Sequence, residues 1–408
     1  MIDTREELLN ALAEAAELEH GLLVQYLFTA FSFKRRLDEG ITPLQQLMME
    51  DWERTILSVA HQEMYHLANV CNLLAAIGGA PRFDRPNFPQ PLKKYYPFDF
   101  ELTRFGDEAL YRFIVFELPE GVEPPPLPHV PGNVKTFAFE KIAPDPLVYN
   151  HIGELYERIA EGFKNIPENV LFIGPEDQQD IDEWTLRLKM HKVHDRASAL
   201  EAIKEIVEEG EGTKADRAGS HYDKFLRIRQ AYLAEKAKDA SFEPARNVAT
   251  NPRTREHRDA GGEGTIITHQ ATLKLAELFN TTYTTMLSML IQYYSYGGET
   301  QEQREILRDS SRRMMSAFIR PMAEVLTEMP VTDDLTDGVA GAGFELYGPM
   351  NYSGQLKSRW IILQERFRQH IADIEEILEF QNEFPVLQRI AKLRENYEGT
   401  LINLKNFF

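Results

Sequence analysis

The sequence predicts a mainly α protein: a four-helix bundle in the N-terminal part, interrupted by a long proline-rich crossover, with an additional C-terminal helical region. Three observations predict it. Apolar residues recur at three- and four-residue spacing over long stretches that begin and end with helix-capping signals. Prolines concentrate in one stretch, including five between Pro124 and Pro131. A few acidic and histidine residues fall on the apolar stripes themselves, where a surface charge has no place.

The first helix is expected over about Thr4 to Leu37. Leu8, Leu12, Ala15, Leu22, Leu23 and Tyr26 share its apolar stripe, and Thr4 with Glu7 makes a capping box. A second helix is expected from Pro43 to Ile77, closing at Gly78-Gly79, with Ile56, Val59, Ala60, Leu67 and Val70 as its core line. Residues 81–146 read as the crossover, with a β-like patch at Tyr111 to Leu118. Helical pattern resumes over Asp145 to Phe163, over Asp195 to Glu209 with Asp195 as N-cap and Gly210 as the stop, and from Ser220 to Lys238. Residues 239–264 are polar, carry Pro244, Pro252 and Gly261-Gly262, and read as a linker or exposed loop. Further helices are expected over Ile266 to Tyr296, Glu302 to Met329, Gln355 to Phe380 and Pro385 to Leu404, with a glycine-rich loop at Gly338 to Glu345 read as a tight turn. No repeat of 20–50 residues is present, which argues against a solenoid. The expected domains are 1–240, the bundle, and 265–408, a helical region packed on it.

Composition narrows the function. The chain has 408 residues, 43% hydrophobic and 27% charged, enough for more than one buried core. Its 45 Lys and Arg stand against 64 Asp and Glu, a formal net charge of −19. A field of that sign repels phosphate backbones and anionic lipid, so neither nucleic acid nor membrane is an expected partner. The single cysteine, Cys71, makes neither an internal disulfide nor a cysteine-based zinc site. Residues 1–7 lack the pattern of a secretory signal, and the expected location is the cytoplasm. A small-molecule substrate is the expected partner, and a homo-oligomer stays open.

The chemistry is carried by polar residues on apolar stripes. Glu19 sits among Leu12, Ala15, Leu22, Leu23 and Tyr26, where a carboxylate is expensive to bury unless paired or bound to metal. Glu63 and His66, at i and i+3, lie in line with Ile56, Val59, Ala60 and Val70. Glu-x-x-His on an inward face is half of a carboxylate-bridged two-metal site, because i and i+3 side chains project side by side. Glu154 is the candidate from the third helix, with His151 as its substitute; the competing reading is a partly exposed Glu beside a capping His. On the fourth helix Ile203 and Val207 step on to Glu211, within Glu208-Glu-Gly-Glu-Gly212, with Glu208 as an alternative. Thr213 and Lys214 follow rather than a histidine, and His221 is the nearest one downstream. The expected ligand set is Glu19, Glu63, His66, Glu154, Glu211 and His221.

Four motifs carry a family resemblance: Leu18-Glu-His-Gly-Leu-Leu-Val-Gln-Tyr26, His61-Gln-Glu-Met-Tyr-His66, Ile152-Gly-Glu-Leu-Tyr156, and Glu209-Gly-Glu-Gly212 followed by Ser220-His-Tyr222. Over about residues 5 to 235 the chain resembles the ferritin-like domain of the iminophenylpyruvate dimer synthase group. Such domains occur in enzymes that couple tryptophan-derived imines in violacein, rebeccamycin and staurosporine biosynthesis. Residues 270–380, including Ala340 to Glu345, look similar to the C-terminal part of stand-alone relatives. The coupling synthases are longer and associated with haem, whereas this sequence has no recognisable haem motif. The resemblance therefore implies fold and metal site more strongly than reaction.

Three functions are weighed. The first is an oxygen-dependent diiron oxidoreductase acting on a small amino-acid-derived or aromatic metabolite, with two Fe ions (Mn or a mixed pair would use the same ligands) and O₂ as co-substrate. In it Glu63 and Glu211 bridge, Glu19 and Glu154 are terminal, and His66 and His221 cap one ion each. The second is an iron-handling ferroxidase or storage protein, the third a non-catalytic helical scaffold with a degenerate site. His191 and His194 read as helix-entry or surface residues before metal ligands, and Tyr26 and Tyr65, near the proposed ligands, as packing residues before redox-active groups or hydrogen-bond donors to them.

Overall fold

The structure is a computed structural model, and it describes residues 1–90, 99–126, 151–176, 179–180, 190–210, 217–257, 260, 262–295, 297–350 and 353–407. It is helical almost throughout and divides into two compact units. One takes in Met1–Ala80, Pro91–Phe100 and Arg104–Ala245, the other Pro81–Gln90, Glu101–Thr103 and Arg246–Phe408.

The first unit opens with α1 (Arg5–Phe31). Thr4 caps it, accepting from the Glu7 amide while the Glu7 carboxylate takes the Thr4 amide, so two of the four orphan donors at this end are satisfied reciprocally. A second capping box, Thr42 with Gln45, and proline at the first helical position start α2 (Pro43–Ala76). The two long helices lie against each other, and Leu8, Leu12, Ala15, Ile56, Val59 and Ala60 of their facing stripes are buried. At the far end of α2, Gly78 turns the chain with φ of 82°.

The patch read as β-like is a helix, α3 (Asp107–Phe116). Every residue from Ala109 to Phe116 is buried. Even Arg112 is buried there, with its guanidinium on Glu108 and the Asp99 carbonyl, and periodicity cannot separate so short a buried run from a buried strand. The correction matters for the site, because α3 delivers Glu117.

Next come α4 (Ile152–Asn165), the single turn α5 (Glu168–Leu171), α6 (Arg196–Gly210) and α7 (His221–Lys238). Asp195 Oδ1 accepts the Ser198 amide at the start of α6, and Ser220 caps α7. Helix α3 packs on α7, and α4 packs on α6 and α1. Helix α2 touches both α6 and α7. Phe33, Trp52, Phe105, Tyr232 and Phe242 close one end of this unit as an aromatic cluster.

The stretch read as a linker or exposed loop is buried in its middle: Phe242, Ala245, Arg246, Val248, Asn251 and Arg253 all lie inside. Its polar groups are absorbed locally. Asn251 caps the Leu102 amide, and β1 (Pro252–Arg253) pairs in parallel with β2 (Thr265–Ile266).

The second unit continues with α8 (Gln270–Tyr294), α9 (Gln301–Met314), a π turn over Met315–Ile319, α10 (Arg320–Leu326), α11 (Leu356–Leu378) and α12 (Leu393–Lys405). The π turn stands immediately before Pro321, which lacks the amide that a regular ladder needs. Helix α8 is the hub, against α9, α10 and α11. The glycine-rich loop is buried in this unit, with Glu345 taking hydrogen bonds from the Asn280 side chain and the Thr254 amide. Among the described residues no helix is long and apolar enough to cross a membrane.

Candidate metal centre

Four helices of the first unit bring polar side chains to one buried place. Helix α1 supplies Glu19 from the middle of its apolar stripe, and α2 supplies Glu63 and His66 one turn apart. Glu117 is the C-terminal cap residue of α3, and His221 is the first residue of α7. All five are at most 4% exposed.

Glu63 stands at the centre. Its Oε2 lies 3.0 Å from His66 Nδ1, and its Oε1 lies 2.8 Å from His221 Nδ1. On the first side Glu19 Oε2 is 3.5 Å from His66 Nδ1; on the second Glu117 Oε1 is 3.7 Å from His221 Nδ1. Two clusters result, Glu19–Glu63–His66 and Glu63–Glu117–His221, each with donor atoms within 4.8 Å of one another. The imidazole rings are 5.6 Å apart and 28° from parallel.

The surroundings repeat on the two sides. Tyr156 donates to Glu19 Oε1 and Tyr26 to Glu117 Oε1, each over 2.5 Å. On Glu19 this leaves Oε2 turned towards His66, whereas on Glu117 the oxygen that takes the hydroxyl is also the one that faces His221. His66 has a further partner, as Glu209 Oε2 of α6 lies 2.8 Å from its Nε2.

Burial pushes Glu19 up to about 8, helped by the neighbouring charge of Glu63. Glu117 is raised for the same two reasons. Burial also opposes ionisation of Glu63, but His221 and His66 outweigh it and hold Glu63 well below the ordinary carboxylate range. Against the cost of burial, the carboxylates raise His66 well above its ordinary value and His221 to about 9.

The donor set fits a pair of hard or borderline cations. Glu19 Oε2, Glu63 Oε1 and both ring nitrogens of His221 are buried without a hydrogen-bond partner; the close approach of His221 to Glu63 lacks hydrogen-bond alignment. Leaving such atoms unpaired costs roughly 1–3 kcal/mol each. Glu19 belongs to one cluster, His221 to the other and Glu63 to both, so a cation in each cluster would satisfy such atoms. Carboxylate with imidazole suits iron or manganese, and no thiol is present to favour softer ions. A cavity of about 20 Å³ opens beside these groups, lined by Glu19, Glu63, His66 and Glu117 on one side and by Gly153, Tyr156 and Val207 on the other. It has room for about one water-sized ligand.

Of the residues expected from sequence, the structure brings together Glu19, Glu63, His66 and His221. Glu154 does not join them. Its Oε1 takes the Arg158 guanidinium at 2.6 Å, while His151 caps α4 by accepting the Glu154 amide on Nδ1. This is the competing reading of that pair, and it follows from position: Glu154 is in the first turn of α4, on the polar edge. Glu211 lies outside the described residues, and Glu208 faces Lys204 at 3.7 Å. His191 is buried and paired with Glu205 at 2.5 Å, and Tyr65 also reaches Glu205.

Sequence reasoning missed Glu117, Tyr156 and Glu209. A signal for Glu117 existed: read as a helix, α3 places it three and seven residues after the buried Ile114 and Leu110. For Glu209 the buried face of α6 runs Ala199, Ala202, Ile203, Ile206 and Gly210, with Val207 half-buried. That face sets Glu209, three residues after Ile206, beside His66.

The model of the ferritin-like family matches residues 12–230, more than half of the chain, and that span holds Glu19, Glu63, His66, Glu117 and His221. The chain belongs to the ferritin-like family. Two curated relatives are named as a synthase and a dimerase. Dichlorochromopyrrolate synthase of Lentzea aerocolonigenes is 30% identical over 85% of this chain and 36% of its own. The 2-imino-3-(indol-3-yl)propanoate dimerase of Chromobacterium violaceum is 26% identical over 86% of this chain and 34% of its own. This ferritin-like chain thus spans about a third of the length of those relatives. A solved ferritin-like protein from Caulobacter vibrioides aligns over 75% of this chain and 93% of its own, at 20% identity and a TM-score of 0.44.

Proposed function

We propose that the protein is an oxygen-dependent oxidoreductase with a carboxylate-bridged pair of metal ions, iron in the first instance, acting on a small amino-acid-derived or aromatic metabolite. The observation that carries this reading is the sharing of Glu63 between two Glu–His clusters. Two ions on a common carboxylate need such an arrangement, whereas a single mononuclear site does not. A relative named for an indolyl imino acid supports the substrate class.

In this reading Glu63 bridges, Glu19 and His66 hold one ion, and Glu117 and His221 hold the other. When bound, the metal pair supplies redox chemistry with O₂. The chain's own residues hold the ligands in place. Tyr156 and Tyr26 fix the outer carboxylates, and Glu209 fixes the ring of His66 through Nε2. Burial of the whole set excludes bulk water. We place the protein in the cytoplasm, where ferrous iron and small metabolites are available.

The test is metal analysis after growth with iron, followed by anaerobic Fe(II) titration and exposure to O₂, with Glu63→Ala in parallel. Two ions per chain, an oxygen-dependent absorbance change and loss of both in the variant are expected. No stoichiometric metal, and a variant indistinguishable from wild type, would overturn the reading in favour of a helical scaffold.

A further inference from the structure

The cavity at the metal centre holds a water-sized ligand but no organic molecule, so a substrate needs another place within reach. Such a place adjoins it. A groove of about 400 Å³ runs between α4 and α6, and Gly153, Tyr156 and Val207 line both the groove and the small cavity. Its volume falls in the range of small-molecule sites, roughly 300–1,000 Å³.

The groove follows from sequence spacing. On α4 the lining residues Gly153, Tyr156 and Ala160 stand at i, i+3 and i+7, and on α6 Leu200, Ile203 and Val207 repeat that spacing. Two packed helices with these facing stripes would normally interdigitate. Gly153 and Ala160 have too little side chain to do so, which leaves an apolar trough with the ring of Tyr156 in its wall. The trough carries charge of both signs. Lys164, Lys204 and Arg217 line it together with Glu120, Glu157 and Glu208. Lys204 and Glu208 pair with each other at 3.7 Å.

We propose that this groove is the substrate site, and that it takes an aromatic α-amino or α-imino acid: the ring on Leu200, Ile203 and Tyr156, the carboxylate towards the cations, the nitrogen towards the glutamates. The proposal rests on the metal-dependent reading above for the word substrate, but not for binding, since the groove's lining includes none of the five proposed ligands. Tyr156 connects the two, since it lines the groove and its hydroxyl donates to Glu19.

The experiment is calorimetric titration of the full chain with L-tryptophan and, separately, with uncharged indole. It is run on wild type, Glu63→Ala, Ala160→Trp and the double variant Lys164→Glu/Arg217→Glu, with circular dichroism and metal content measured on each. L-Tryptophan is expected to bind wild type and Glu63→Ala alike, and to bind about tenfold or more weakly to both groove variants. Indole is expected to bind wild type about tenfold more weakly than L-tryptophan. The groove variants should keep the wild-type fold and metal content. Equal binding by Ala160→Trp, or no saturable binding to folded, metal-loaded wild type, overturns the groove proposal. Saturable binding to a protein that takes up no metal overturns the enzymatic reading and leaves the groove as a ligand site.

Discussion

His370 offers a prediction whose size follows from its surroundings. It lies on α11, 2% exposed, with Nε2 3.0 Å from the Thr285 hydroxyl and Nδ1 without a partner. Burial, and then the charge of Arg366, push its pKa down from the usual 6.5 to about 3. Among the described residues no carboxylate offsets this, in contrast to His66 and His221. Between those two values the unfolded chain binds a proton that the folded chain refuses, so stability rises with pH there. The contribution is intact above about pH 6.5 and is lost as pH falls towards 3. At roughly 1.4 kcal/mol per pH unit, the whole gap is worth about 5 kcal/mol, and the fall from pH 8 to pH 5 costs about 2 kcal/mol. The assay is urea unfolding of wild type and His370→Gln at pH 8 and pH 5. Carboxylates titrate in both proteins and cancel in the comparison. The variant should lose about 2 kcal/mol less than wild type on acidification. Parallel losses would refute the reasoning and mean that the ring is solvated or paired in the folded protein.

Three other predictions test the centre and its frame. Because Glu63 serves both clusters while Glu19 and Glu117 serve one each, Glu63→Ala should bind close to no iron, and Glu19→Ala and Glu117→Ala about one ion per chain; equal stoichiometry in all three would deny the sharing. Tyr156→Phe removes the hydroxyl on Glu19 and Tyr26→Phe the one on Glu117, so each should weaken metal uptake by about 10–100-fold without unfolding the chain, as read by competition with a chelator. Gly174→Ala would set a Cβ 1.6 Å from the Ala75 carbonyl oxygen, and because the obstacle is backbone, the turn must move away; a loss of about 1–3 kcal/mol or more in urea unfolding is expected, and an unchanged midpoint would contradict that packing.

Much of the site was legible because an ionisable residue on an apolar stripe is costly, and the cost shows in the pattern. Glu19, Glu63 and His66 stood out on long, strongly periodic helices, and all three reach the cluster. His221 was reached with less warrant, as the nearest histidine after a break, and its place at the first turn of α7 brings it to Glu63. Glu154 shows the limit of the method. It lies at the margin of a stripe, where one step of a helix separates a buried ligand from a surface carboxylate, and Arg158 one turn on holds it at that surface.

By itself the sequence determined the helical class, the caps that start α1 and α2, and the two helices that carry half of the centre, since all of these rest on interactions within a few residues along the chain. Tertiary structure decided what depends on neighbours far away. Helix α3 is buried continuously from Ala109 to Phe116, so only its packing on α7 distinguishes it from a strand, and with it comes Glu117. The hydroxyls of Tyr26 and Tyr156 find carboxylates 91 and 137 residues away, and Glu209 meets His66 across 143. No local pattern encodes such pairs. They exist because a buried carboxylate or imidazole must find a partner, and only the folded chain determines which one is within reach.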